Sequence, residues 1–480
     1  MKIYLLNGPF IDNFVRCGRW QGVAARGGTM YYPIWISYAT GVLEKAGHKV
    51  RLVDAIARKW NIANVIDDAK LFSPDLIVVD TNFSSLRNDI DTANQLKDTV
   101  EAQTVMVGPP VSQFAERILR DGVDIAARFE FDFTLRDIAE SMDKGETLKD
   151  IKGVSYKENG SIVHNEDREI INSSELDEIP FVSKIYNEHL NIKDYFLNHA
   201  LYPMVQIFTG RGCPNLCTFC SWPETLMGRK YRVRSIKNVV DEFEYIIDRL
   251  SVKEIFMEDD AFTLNKKRII QFCEEIRNRK IKISWSCQSR ATLDYETMKL
   301  MKESGCRLLD VGFESGSDNI LNNIKKGVTV NQLRTFSKNA KKAKLKILAD
   351  FVIGFQGETK DTAEQTIKFA KEVKPDLLQV AVATPMPGTK FYVWCKEHGY
   401  LLTENMEESL DEKGFQKCII SYPWLTKDEI EALVDQTLKE YYLSFSFIPV
   451  AVKNIAGKNG THELKTMARS ANSFLKYLAR

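Results

Sequence analysis

The chain has 480 residues, 44% of them hydrophobic and 27% charged, enough for two or three globular domains of ordinary composition. Against 65 acidic residues stand 66 basic ones, so the formal charge is +1 and the strong basic excess of a nucleic-acid binder is absent. Nine cysteines, an odd number and mostly scattered, argue for a reducing cytosol over a disulfide framework. No apolar run approaches a membrane-spanning length, and the start, Met-Lys-Ile-Tyr-Leu-Leu-Asn-Gly-Pro, reads as a first strand and not as a signal peptide.

In chain order, Ile3–Asn7 is a short apolar strand that stops at Gly8-Pro9. A glycine-containing loop runs to Pro33, and Pro33–Gly47 has helical apolar spacing with Gly47 as a C-terminal cap. Val50–Asp54, Pro74–Asp80 and Thr104–Gly108 are further strands. Strands alternating with helices predict a parallel sheet covered on both faces, with ligands at the carboxyl ends of the strands. The candidate loops are therefore Gly8 to Pro33, Thr81 to Ser85 and Gly108 to Ser112. This Rossmann-like unit occupies residues 1–150. Residues 151–199 read as a connector, with a hairpin from Ile151 to His164 turning at Asn159-Gly160.

From residue 200 to 400 six strands alternate with helical stretches such as Val239–Leu250 and Lys266–Arg279. The strands are Pro203–Thr209, Glu254–Phe262, Lys282–Arg290, Arg307–Ser315, Lys346–Gly354 and Leu377–Ala383, which predicts a partial (β/α)6 barrel with its functional residues on one rim. The first strand runs into Thr209-Gly-Arg-Gly-Cys-Pro-Asn-Leu-Cys-Thr-Phe-Cys220. Cys213, Cys217 and Cys220 place three soft thiolate ligands within eight residues. A structural zinc site would call for a fourth ligand close by, yet the next cysteine is Cys273 and the next histidine is His398. Three ligands on a four-iron cluster leave one iron open to a small molecule.

Polar residues gather at successive strand ends on this rim. Glu258, Asp259 and Asp260 end the second strand; three adjacent carboxylates there are hard to explain as packing. Ser286, Gln288 and Arg290 end the third, where a guanidinium suits a carboxylate. Glu314 and Ser315 end the fourth, Gly354-Phe-Gln-Gly-Glu-Thr359 the fifth, and Thr384-Pro-Met-Pro-Gly-Thr389 the sixth.

The spacing C-x3-C-x2-C, with the aromatic Phe219 before the last cysteine, resembles the signature of the radical S-adenosylmethionine (SAM) enzymes. With the first domain it resembles the family that carries a cobalamin-binding domain ahead of the radical SAM barrel. Pro33–His48 is similar to that family's first helix, and Val123–Thr134 is a second stretch typical of the family, although a glycine is more usual where Phe129 stands. Cys217–Thr225, Arg229–Ser235 and Phe181–Tyr186 look closest to the hopanoid-biosynthesis, cyclitol-ether branch. The family's Asp-x-His-x-x-Gly motif is missing, and the loop from Gly8 to Pro33 holds no histidine for cobalt.

The resemblance implies three cofactors: a 4Fe–4S cluster on Cys213, Cys217 and Cys220, SAM, and cobalamin as methylcobalamin. It implies SAM contacts from Phe219, Glu258, Asp259, Asp260, Ser286, Gln288, Arg290, Glu314, Ser315, Gly354 and Gly357. Cobalamin would lie against Gly8, Asn82, Ser84, Ser85 and Gly108. The implied activity is C-methylation of an unactivated carbon through a 5′-deoxyadenosyl radical, with flavodoxin or ferredoxin as electron donor. The alternatives are a radical ring contraction or rearrangement on a lipid or hopanoid-type substrate, and a non-catalytic cobalamin or iron–sulfur sensor. A small molecule, a lipid intermediate or a peptide side chain would serve as substrate, and nucleic acid would not.

Residues 401–480 read as a mainly helical segment, with Lys427–Phe445 and the basic stretch Glu463–Arg480 as helices. The second could lie on a membrane surface, giving a cytoplasmic protein with a membrane contact; a helix covering the open side of the barrel is the simpler reading.

Overall fold

Five short runs of β-branched and aliphatic residues build the first sheet. They are β1 (Lys2–Asn7), β2 (Lys49–Asp54), β3 (Leu76–Asp80), β4 (Gln103–Val107) and β5 (Ile125–Ala127), all parallel. Every residue of β3 is buried, as helices on both faces require. The computed structural model describes residues 1–455 except 19, 20, 26, 261 and 446, and in addition 464, 465 and 468. Strand order is β2-β1-β3-β4-β5, so the direction of winding reverses between β1 and β3 and leaves a crevice at their carboxyl ends. The helix over Ile34–Lys45 ends as expected, with Gly47 at φ 88°. The hairpin β6 (Val154–Glu158) and β7 (Ser161–His164) turns at Asn159 and Gly160, both in the left-handed region. It is no free connector: β6 pairs antiparallel with β5 and covers the donors and acceptors of that edge.

The second sheet contains β8 (Met204–Ile207), β9 (Glu254–Met257), β10 (Ser284–Ser289), β11 (Cys306–Glu314), β12 (Lys346–Ile353) and β13 (Leu377–Val382) in sequential order. All are parallel, which is the expected partial barrel. The helix Lys427–Tyr442 packs on β13, the last strand, where the Tyr442 hydroxyl donates to the Leu378 carbonyl at 2.7 Å. The expected helix Glu463–Arg480 falls almost wholly outside the described residues. Among the described residues no helix is long and apolar enough to cross a membrane.

One continuous apolar core joins the two sheets. Tyr32 stacks between Tyr186 and Tyr195, its hydroxyl donates to the Met204 carbonyl at 2.8 Å, and its amide donates to Gln206 Oε1 at 3.1 Å. Two buried ion pairs tie the barrel entrance to the first domain. Arg211 meets Asp132 at 2.7 Å and lies over the Trp35 ring, and Arg232 meets Glu130 at 2.6 Å. Together these contacts hold the first domain's loops against the open rim of the barrel.

Candidate active site

The cysteine loop is shaped by a two-stranded ribbon, Gly210–Arg211 against Arg232–Val233. Gly212 follows at φ 86°, and a Cβ there would stand 2.3 Å from the Lys230 carbonyl oxygen, so only glycine fits. The loop is pinned by Cys213 N–H to the Gly228 carbonyl at 3.4 Å and Thr218 N–H to the Ile324 carbonyl at 3.0 Å. Asn215 Nδ2 donates to Cys213 Sγ at 3.1 Å. The three cysteines share one wall of a cavity of about 230 Å³ at the carboxyl ends of the barrel strands. The remaining six cysteines are buried elsewhere and line no part of this cavity.

Carboxylates dominate the barrel side. Glu258, Asp260, Asp310, Glu314 and Asp350 line the cavity with Arg290 and Lys326. Glu314 sits at φ 63° beyond a register shift in β11, a strained conformation for a non-glycine residue that turns its carboxylate toward Lys326 Nζ at 2.6 Å. Its second oxygen, Oε2, is buried with no hydrogen-bond partner. The opposite wall comes from the first domain's loop, including Val15, Gly18, Gln21, Val23 and Tyr31. An unpartnered buried carboxylate oxygen and three clustered thiols are what a cationic small molecule and a soft metal cluster would each satisfy.

Comparison with known proteins agrees with this arrangement. The B12 binding domain family matches residues 20–139 and the Radical SAM superfamily matches residues 207–370. An uncharacterized methyltransferase of Pyrococcus horikoshii is 33% identical over 440 residues, covering 90% of this chain and 92% of that one. The chain belongs to the cobalamin-binding radical SAM family. An anaerobic magnesium-protoporphyrin IX monomethyl ester cyclase of Cereibacter sphaeroides is 26% identical over 374 residues, 75% of this chain and 60% of that protein. The fold is shared with the radical S-adenosylmethionine methyltransferase TsrM of Kitasatospora setae, solved with cobalamin and a 4Fe–4S cluster. The TM-score is 0.73 at 14% identity, and both chains are covered in full. The cofactors of this radical SAM family member are therefore a 4Fe–4S cluster, SAM and cobalamin.

Six of the residues expected to touch SAM line the cavity: Phe219, Glu258, Asp260, Gln288, Arg290 and Glu314. Five others stand back from it. Asp259 accepts from Thr209 N–H and Oγ1, both at 2.6 Å, and from the Tyr231 hydroxyl at 3.0 Å. Ser286 lies one pleat deeper than Gln288 and donates to Glu254 Oε1 at 2.5 Å. Ser315 Oγ pairs with Thr366 Oγ1 at 3.1 Å. Gly354 and Gly357, at φ 102° and 81°, shape the loop after β12.

The residues expected at cobalamin stand together at the carboxyl ends of β1, β3 and β4, outside the cavity wall. Gly108, at φ 117°, comes so close to Thr81 that a Cβ would lie 2.3 Å from its carbonyl oxygen. Asn82 Nδ2 donates to the Arg16 carbonyl at 2.6 Å, Ser85 Oγ donates to Asp89 Oδ2 at 2.6 Å, and Gln21 Nε2 donates to Ser84 Oγ at 3.2 Å. Beside Gly8, in the crevice between β1 and β3, Arg16 pairs with Asp89 at 2.5 Å and donates to the Gly8 carbonyl at 2.6 Å. The set fits cobalamin in residue type: glycine and hydroxyl residues gather at these strand ends, in a crevice that the Arg16 side chain occupies. The loop facing the barrel adds uncharged side chains to the cavity, among them Val15, Gln21, Val23 and Tyr31.

Sequence reasoning passed over Gln21, His199, Asp310, Lys326 and Asp350, all of which line the cavity. Two of these had a signal. Asp310 and Asp350 are lone charges inside the apolar strands Arg307–Phe313 and Lys346–Ile353, and a charge seldom enters such a strand without a partner.

Proposed function

We propose that this chain is a cobalamin-dependent radical SAM methyltransferase that adds a methyl group to an unactivated carbon of a small molecule. The observation that carries the reading is the single cavity enclosed by the cysteine loop, the barrel rim and the first domain's loop. When bound, the three cofactors supply the radical and the methyl group.

The chain's own residues supply position, charge and exclusion of water. Cys213, Cys217 and Cys220 would hold the cluster, and Asn215 Nδ2, already on Cys213 Sγ, tunes that thiolate's charge. Glu314 Oε2 would accept from the amino group of SAM's methionine, with Lys326 fixing the carboxylate's orientation. Arg290, anchored on the Lys326 carbonyl at 2.6 Å, brings a guanidinium to the same wall for a carboxylate. Val15, Val23 and Phe219 give that space apolar faces. Gly8, Asn82, Ser84, Ser85 and Gly108 would border cobalamin's tail. Residues 8–33 hold no histidine, so this loop would offer cobalt no imidazole. A one-electron donor of the flavodoxin or ferredoxin kind is the expected partner.

The test is anaerobic reconstitution with iron, sulfide and hydroxocobalamin, desalting, and metal analysis. About four irons and one cobalt per chain are expected. Reduced enzyme given SAM should then form both 5′-deoxyadenosine and S-adenosylhomocysteine. Cys217→Ala should lose most of the iron while far-ultraviolet circular dichroism is unchanged. 5′-Deoxyadenosine alone would favour a radical rearrangement without methyl transfer, the outcome suggested by the relative that is a cyclase. Iron without cobalt would overturn the cobalamin reading.

A further inference from the structure

The cavity wall below the rim has a charge arrangement that the cofactor contacts leave unused. Asp310 on β11 and Asp350 on β12 lie on neighbouring strands, paired in register so that Asp350 faces Gly312 and Asp310 faces Leu348. Both carboxylates line the cavity, close enough that the charge of one acts on the other. Burial and the charge of Asp310 push the Asp350 carboxyl well above its usual range. Gln288 Nε2 donates to Asp310 Oδ2 at 2.9 Å, whereas Asp350 Oδ1 is buried with no hydrogen-bond partner. Lys326 is engaged by Glu314.

His199 gives an independent second observation on the same cavity. It is 5% exposed, and its Nε2 has no partner. Its Nδ1 lies 3.2 Å from Asn198 Oδ1, an acceptor, which assigns the proton to Nδ1 and makes Nε2 a buried acceptor. Burial and the nearby Arg307 charge lower its pKa to about 3, so the ring stays neutral. The cavity thus presents acceptors and a surplus of negative charge beside the residues expected at the cluster and SAM.

We propose that the Asp310–Asp350 pair and His199 form the substrate-recognition element, and that the substrate is a small water-soluble compound presenting a primary amine. An ammonium brings three donors and the compensating charge; a diol brings donors alone, and a carboxylate or a lipid chain brings neither. The proposal rests on the reading that this cavity is the active site of the cobalamin-dependent enzyme.

The test uses reconstituted holoenzyme saturated with SAM and equilibrium dialysis against radiolabelled 1,4-diaminobutane, 1,4-butanediol and succinate. Saturable binding of the diamine is expected, at least about tenfold tighter than either isostere, and weakened about tenfold or more in Asp310→Asn and Asp350→Asn. The wild-type preference stands as evidence even if a variant fails to fold. Equal or tighter binding of the diol or succinate would overturn the proposal. So would diamine binding unchanged in both folded variants, competition by SAM for the same site, or no saturable diamine binding. Iron and cobalt content of the same preparation reports separately on the cofactor reading, so the two can fail independently.

Discussion

Glu358 is wholly buried, yet among the described residues no cation pairs with it. It accepts from Gly354 N–H at 3.4 Å and from the Thr362 hydroxyl, locking the loop after β12, and burial raises its pKa from 4.5 to about 7. Between those two values the folded carboxyl keeps a proton that the unfolded chain has released. Stability therefore falls as pH rises through the window and is level above it. Glu358→Gln resembles the protonated form. Relative to wild type it should gain about 1.4 kcal/mol per pH unit across that window and nothing further above pH 7. Urea titrations from pH 5 to 8 measure this, and a constant difference between the two proteins would contradict it. Phe129 also holds a special position, with its backbone at φ 57°. Ser112 Oγ accepts its amide proton at 3.0 Å and so supports a conformation that a bulky residue rarely adopts.

At the scale of one element, the cysteine loop depends on close backbone approach. Gly212→Ala would place a methyl group 2.3 Å from the Lys230 carbonyl oxygen and 3.1 Å from that of Gly228, both main-chain atoms that cannot swing aside. The ribbon must open, displacing Cys213 from the other two thiols. A loss of about 2 kcal/mol or more is expected, together with iron content reduced to less than half after reconstitution. Full iron occupancy at wild-type stability would show that the loop is set by the cysteines and not by the ribbon. The hairpin β6–β7 makes the complementary point: its own sequence specifies the turn, but its role as a sheet edge depends on β5.

Over the whole molecule, the two sheets behave as one packed body. The shared apolar core predicts a single unfolding transition by circular dichroism and tryptophan fluorescence. The joint also holds buried charges, and those are vulnerable. Asp132→Ala leaves Arg211, 2% exposed, without its main counter-charge, and should cost about 3–5 kcal/mol. Replacing both residues by apolar ones, Asp132→Leu with Arg211→Met, should recover much of that loss, since the expense lies in the orphaned charge and not in the missing pair. A single variant as stable as wild type would place the joint's strength entirely in its apolar contacts.

The sequence by itself determined what is encoded in neighbouring residues. The alternation of strands and helices, the parallel character of both sheets and the three clustered cysteines are all local patterns. The core strands and the helices at Ile34–Lys45, Ile236–Arg249 and Lys266–Asn278 lie where periodicity places them. Tertiary structure decided which strand-end side chains share a space. The two-residue pleat turns Asp259 and Ser315 away while Glu258, Asp260 and Glu314 face the cavity, and depth along β10 separates Ser286 from Gln288. Ser84 faces Gln21 because the loop from Gly8 to Pro33 folds across the strand ends, whereas Ser85 meets Asp89 four residues on and Gly108 meets Thr81 at the neighbouring strand end. Asp310, Asp350 and His199 are far apart in the chain and belong to no motif. Strand register and packing bring them to one cavity, and no reading of local sequence contains that meeting.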